Sequence, residues 1–215
     1  VVNPPQTLAD PAAEAASWER LLRNAGTPAR ATREKAYLKS DLEFAGTGVP
    51  AIRVLVTDWC KARPSLPRDQ VTELVRALWD RPLYECRQAA VLLLERTTRL
   101  LDPSDMALIE RLLRTSRTWA LVDGLAVNVA GDLAVRFDEL GSVLDRWAAD
   151  EDFWLRRSAL LALLRPLRAG RGDFERFSRY ADAMLGEREF FIRKAIGWVL
   201  REVAKQRPAL VADWL

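Results

Sequence analysis

Apolar residues recur along almost the whole chain at three- and four-residue spacing, the interval that returns side chains to one face of an α-helix. No stretch alternates as a half-buried strand does. The pattern predicts helices over 11–26, 27–42, 49–62, 67–80, 84–101, 103–116, 118–137, 138–150, 153–168, 173–186 and 190–206. Starts such as SLPRDQ, DPSDM and RGDFE place Pro, Ser or Asp at the first turn, where those residues cap or tolerate unpaired amides. The fold class is all-α.

The helices also repeat. LYECRQAAVLLL begins at Leu83, TWALVDGLAVNV at Thr118, FWLRRSALLALL at Phe153 and FFIRKAIGWVLR at Phe190, at intervals of 35, 35 and 37 residues. Each follows an amphipathic helix, so the unit is a helix pair. A pair recurring at this period cannot bury its apolar face alone and stacks on its neighbours, which predicts an α-solenoid of HEAT-like repeats. The second helices of such an array line one concave face. Their second positions are Tyr84, Trp119, Trp154 and Phe191; their fifth are Arg87, Val122, Arg157 and Lys194; their sixth are Gln88, Asp123, Ser158 and Ala195. Trp119 and Asp123, four apart, share one helix face. Trp198 lies one turn beyond Lys194. One groove can therefore hold a carboxylate, a guanidinium and two or three indoles.

Composition narrows the chemistry. The 215 residues are 49% hydrophobic and 29% charged, as in an ordinary folded protein, with a net charge of +3 and five Lys among the 33 basic residues. The chain has no His, which removes Ser-His and Cys-His nucleophile pairs, His-rich metal sites and His general bases. Cys60 and Cys86 make neither a zinc site nor a disulfide framework, so no metal is expected and the setting is a reducing cytoplasm. No apolar run reaches the roughly 20 residues of a membrane span, and no signal peptide opens the chain. FAGTGVP (44–50) lacks the Lys of a phosphate loop and reads as a turn. Residues 1–12 read as a Pro/Ala-rich flexible lead-in to a single domain over 13–215, and VADWL at the end falls within an expected helix.

Asp123 has two readings. As an unpaired charge in a buried helix it would cost several kcal/mol. It is either an ion-paired surface residue, with Arg157 as partner, or it faces a cation. Of the Trp residues, Trp18, Trp59, Trp79 and Trp147 are assigned to the core. From pattern alone the favoured reading is a protein-binding scaffold, with a catalytically silent module that binds DNA structures or another protein as the alternative to an enzyme.

AYLKSDLEFAGTGVPAIR (36–53), LWDRP (78–82), TWALVD (118–123), FWLRRSALL (153–161) and EFFIRKAIGWVLREVAK (189–205) together resemble the AlkD-like DNA alkylation repair glycosylases, in order and spacing from about residue 33 onward. The resemblance implies a right-handed HEAT-like solenoid with a concave DNA-binding face. It also implies a monofunctional glycosylase, a monomer that needs no cofactor and releases cationic N3- or N7-alkylated purines from duplex DNA in the bacterial cytoplasm. The family's catalytic positions fall on Trp119, Asp123, Arg157 and Trp198, with Tyr37 lining the lesion site. Lys39, Arg53, Arg193, Lys194 and Arg201 are candidate phosphate contacts. Where relatives often carry two adjacent aromatics before the acid, this chain has Thr118-Trp119.

Overall fold

Helix starts follow the chain's capping residues. In the computed structural model, which describes residues 8–215, Asp10 accepts hydrogen bonds from the amides of Ala12 and Ala13 at 2.9 and 3.0 Å and so opens α1 (Pro11–Ala25). Asp152 and Glu189 do the same for α10 (Phe153–Ala162) and α13 (Phe190–Ala204). The described residues form helices joined by short turns and one isolated bridge between Glu43 and Leu83. None of the helices is long and apolar enough to cross a membrane.

The chain divides into two compact units, the first of which ends at Leu101 and the second of which is Asp102–Leu215. In the first, α1 packs on α4 (Arg68–Trp79), and α5 (Tyr84–Thr97) packs on both α4 and α3 (Val49–Lys61). The core is built on Trp18, Trp59 and Trp79, all buried as expected. Trp18 and Trp59 meet edge-on at 5.5 Å, and both indole N–H groups donate to Glu14. Between α1 and α3 in the chain comes α2 (Pro28–Leu38), whose only buried residue is Leu38. The expected helix to residue 42 stops there because Lys39 takes a left-handed conformation (φ 49°), closing the last turn. The loop that follows is the expected turn, with Gly46 at φ 82°. It is held by Glu85, which is fully buried and accepts from the amides of Ala45, Gly46 and Thr47.

In the second unit, α6 (Met106–Arg114), α9 (Gly141–Ala148) and α12 (Phe174–Met184) are the first helices of three pairs. The second helices are α10, α13 and a continuous run made of α7 (Trp119–Gly124), a π-helical turn (Leu125–Ala130) and α8 (Gly131–Arg136). Helix α10 is the middle one, packing on the π turn, on α9 and on α13. Trp147 is fully buried. The expected continuous helix over 153–168 breaks at Leu163 into α10 and α11 (Leu164–Arg168). Pro166 has no amide to donate to the carbonyl of Ala162, which ends the ladder. That same carbonyl is what Gly131 packs against: an added Cβ would stand 2.6 Å from it. α14 (Pro208–Trp214) closes against α13. The π turn follows directly from the helical segment that carries Asp123, a placement common for functional positions.

Candidate active site

Asp123 and Arg157 meet. The Arg157 guanidinium donates from Nε to Oδ1 and from Nη2 to Oδ2 of Asp123, both at 2.8 Å, as a planar two-point pair between the α7 segment and α10. Its third nitrogen, Nη1, donates to the backbone carbonyl of Phe191 at the start of α13. The Phe191 ring also lies under the guanidinium at 5.8 Å. Arg157 is only 4% exposed, so one cation fixes three consecutive second helices around one carboxylate. Its neighbour Arg156 faces elsewhere: it pairs with Glu187 and donates to the carbonyls of Asp150 and Glu151.

Arg157 occupies one side of Asp123. A carboxylate has about four acceptor directions, the guanidinium takes two, and the Asp123 side chain keeps 16% of its surface. Burial pushes the carboxyl above the usual aspartate range, and the hydrogen bonds and charge of Arg157 oppose it. The site is thus a desolvated, oriented carboxylate with an exposed edge.

Aromatic residues lie on the same three helical segments as the pair and its Phe191 contact. Trp119 sits one turn before Asp123 and is half-buried. Phe153, Trp154 and Phe191 stack in a cluster with centroid separations of 4.3, 6.4 and 5.0 Å. Sequence reasoning placed Phe191 in the aromatic column but missed its second role, as acceptor for Arg157. A backbone carbonyl leaves no residue-type signal.

Trp198 lies seven residues beyond Phe191, two turns along α13. It lines a shallow groove of about 420 Å³ with Phe190, Arg193, Lys194, Gly197 and Arg201. Three of the expected phosphate contacts are therefore gathered beside one catalytic candidate. Tyr37, Lys39 and Arg53 belong to the first unit. Tyr37 is 70% exposed beside Arg30, Arg33 and Glu34; Arg53 lies 3.7 Å from Glu95. The thiols offer no alternative nucleophile, since burial pushes Cys86 up to about 12 and raises Cys60 as well.

A profile of the DNA alkylation repair enzyme family matches residues 18–215, the whole of this site included. The chain belongs to the DNA alkylation repair enzyme family. Among solved structures it is similar to a "predicted DNA alkylation repair enzyme" from Enterococcus faecalis, with a TM-score of 0.80 at 23% identity over 88% of each chain. It is also similar to AlkD2 from Streptococcus mutans (TM-score 0.66, 16% identity, 94% of this chain and 87% of that one). A third similar structure is smu.31 from Streptococcus mutans UA159 (TM-score 0.58, 17% identity, 76% and 87%). At these identities the likeness shows a shared all-helical fold. Curated proteins yield no match.

Proposed function

We propose that this DNA alkylation repair enzyme is a monofunctional glycosylase that hydrolyses the N-glycosidic bond of N3- or N7-alkylated purines in duplex DNA. It acts as a monomer in the bacterial cytoplasm. The observation that carries the reading is the Asp123–Arg157 pair: a carboxylate fixed at two points, desolvated, and open on one edge. Alkylation at purine N3 or N7 makes the base a cationic leaving group, so no acid is needed to expel it. As the bond breaks, positive charge builds on the deoxyribose, as in glycoside hydrolysis. The carboxylate of Asp123 stabilises that charge and accepts a hydrogen bond from the attacking water. Trp119 and Trp198 offer ring faces to the sugar and the cationic base, each worth about 0.5–2 kcal/mol. Arg157 holds Asp123 in place. A shallow groove around Trp198, rather than a closed pocket, supports contact with the lesion without extruding the base and leaves room for bulky adducts.

The test is base release from duplex DNA carrying N7-methylguanine or N3-methyladenine, by the wild type and Asp123→Asn. Release that falls by about 10²–10³-fold in the variant, with duplex affinity kept, is the expected result. Duplex binding without release by either protein would overturn the glycosylase reading and leave a silent DNA-binding module.

A further inference from the structure

Gly197 stands in the interior of α13, where glycine weakens a helix relative to alanine. Gly131, by contrast, has a packing reason: a Cβ there would meet the backbone carbonyl of Ala162 at 2.6 Å. One at Gly141 would meet the movable end of Arg176 at 2.7 Å. A Cβ at Gly197 would meet nothing within 4 Å. The residue is exposed and its conformation is helical, so neither a turn nor a close contact within the protein accounts for it.

Its surroundings are cationic. Arg193, Lys194 and Arg201 lie four before, three before and four after Gly197, the spacings that place side chains around one point on a helix surface. All three are exposed, and among the described residues none has a carboxylate within 4.0 Å. The nearby Glu202 is engaged elsewhere, with Arg168 and Lys205. Lys194 is steadied over the Phe190 ring at 5.2 Å. Trp198 adjoins the bare backbone in the same groove. Three unpaired cations around an uncovered stretch of helix form a seat for an anion that must approach the helix closely.

We infer that Gly197 is the seat of a DNA backbone phosphodiester, which rests against the bare helix surface while Arg193, Lys194 and Arg201 surround it. The role of Gly197 is clearance. A methyl group there holds the phosphate away from the helix and lengthens all three contacts together. The inference rests on the reading of this chain as a duplex-DNA-binding repair enzyme, but it does not depend on catalysis.

The experiment measures binding of undamaged duplex DNA by fluorescence anisotropy across a salt series, alongside thermal melting, for the wild type, Gly197→Ala and Gly197→Asp. Gly197→Ala should melt at a higher temperature than the wild type, because alanine favours the helix. It should nonetheless bind duplex about tenfold more weakly, with a salt slope smaller by about one. Gly197→Asp should lose at least a hundredfold, since its carboxylate occupies the seat. Unchanged affinity in Gly197→Ala with a raised melting temperature would overturn the inference and leave the glycosylase reading intact. Failure of the wild type to bind duplex would overturn both.

Discussion

Replacing Arg157 with methionine isolates the worth of the pair that organises the site. The guanidinium is 4% exposed and makes two 2.8 Å bonds to Asp123 and one to the Phe191 carbonyl. Arg157→Met keeps most of the side-chain volume but leaves a largely buried carboxylate without its counter-ion. Breaking a buried pair from one side costs about 3–5 kcal/mol. At about 2–4 °C per kcal/mol for a chain of this size, the melting temperature should fall by about 6–20 °C. Asp123→Asn strands the buried guanidinium instead, with one of its two hydrogen bonds kept through the amide oxygen, and should cost a similar amount. In Asp123→Asn/Arg157→Met the unpaired charge is gone, so stability should return by about 2–3 kcal/mol relative to Arg157→Met. Recovery will be incomplete, because the Phe191 carbonyl remains without its donor, at about 1–3 kcal/mol. The pH dependence supplies an independent check. The Asp123 carboxyl already lies above its ordinary value because of burial. Removing Arg157 raises it further. A carboxyl with a folded-state value above its unfolded one costs stability as it ionises, so Arg157→Met should lose stability as pH rises from about 4 toward neutrality, more steeply than wild type. Urea denaturation of all four proteins at several pH values reads both effects. Additive single-variant losses, with a coupling energy below about 0.5 kcal/mol, would refute the account of the pair.

Two further predictions concern the scaffold. Glu110 accepts from Arg146, from the Trp147 indole and from Arg114, and these bonds, led by Arg146, hold its carboxyl down to about 2. A depressed carboxyl contributes stability above its ordinary value of about 4.5 that is lost as pH falls toward 2, and with Arg146 57% exposed the contribution is about 1–2 kcal/mol. Acid titration of stability should therefore be shallower in Glu110→Gln than in the wild type; identical profiles would refute this. Glu85→Gln removes the charge and leaves one acceptor oxygen for the three loop amides that converge on Oε1, while its NH2 opposes the Ala45 amide that also reaches Oε2. It should cost about 1–3 kcal/mol and accelerate hydrogen exchange at Ala45–Thr47, so protection there equal to wild type would be the contrary result.

Helical periodicity located nearly every helix, because burial of one face is written directly into residue type. α4 and α9 sit inside the ranges the pattern predicts, and the four core Trp residues are where it puts them. Breaks within helices were less legible. The stop at Lys39 depends on a left-handed turn that Lys does not advertise. The break at Leu163 was signalled by Pro166, four residues after the carbonyl it orphans, but apolar spacing continues across it. The π turn after Gly124 leaves no mark in the pattern, since one extra residue per turn still buries Leu125, Ala126 and Val129. At the site, the two side chains that meet were foreseeable from the repeat: residues 123 and 157 are 34 apart, close to one period, and of opposite charge. The third contact of Arg157, to a backbone carbonyl, was not.

The two acids in apolar second helices differ in how far their acceptors are used within the protein. Glu85 is the more deeply buried, fully enclosed in α5, whereas the Asp123 side chain keeps 16% of its surface. Apolar context drew attention to Asp123 in the sequence, whereas Glu85 emerges only from the structure. Their partners separate them. Three amides of one loop converge on Glu85, and such a carboxylate has little left to offer a ligand. Asp123 receives a single guanidinium along one edge, so its charge is oriented while its other edge stays available. A carboxylate that pins a loop needs all of its acceptors used within the protein. One that stabilises a transient cation needs some of them unused and a rigid support behind them. Asp123 and Arg157 meet the second requirement, and Arg157 is in turn anchored to the next helix through Phe191.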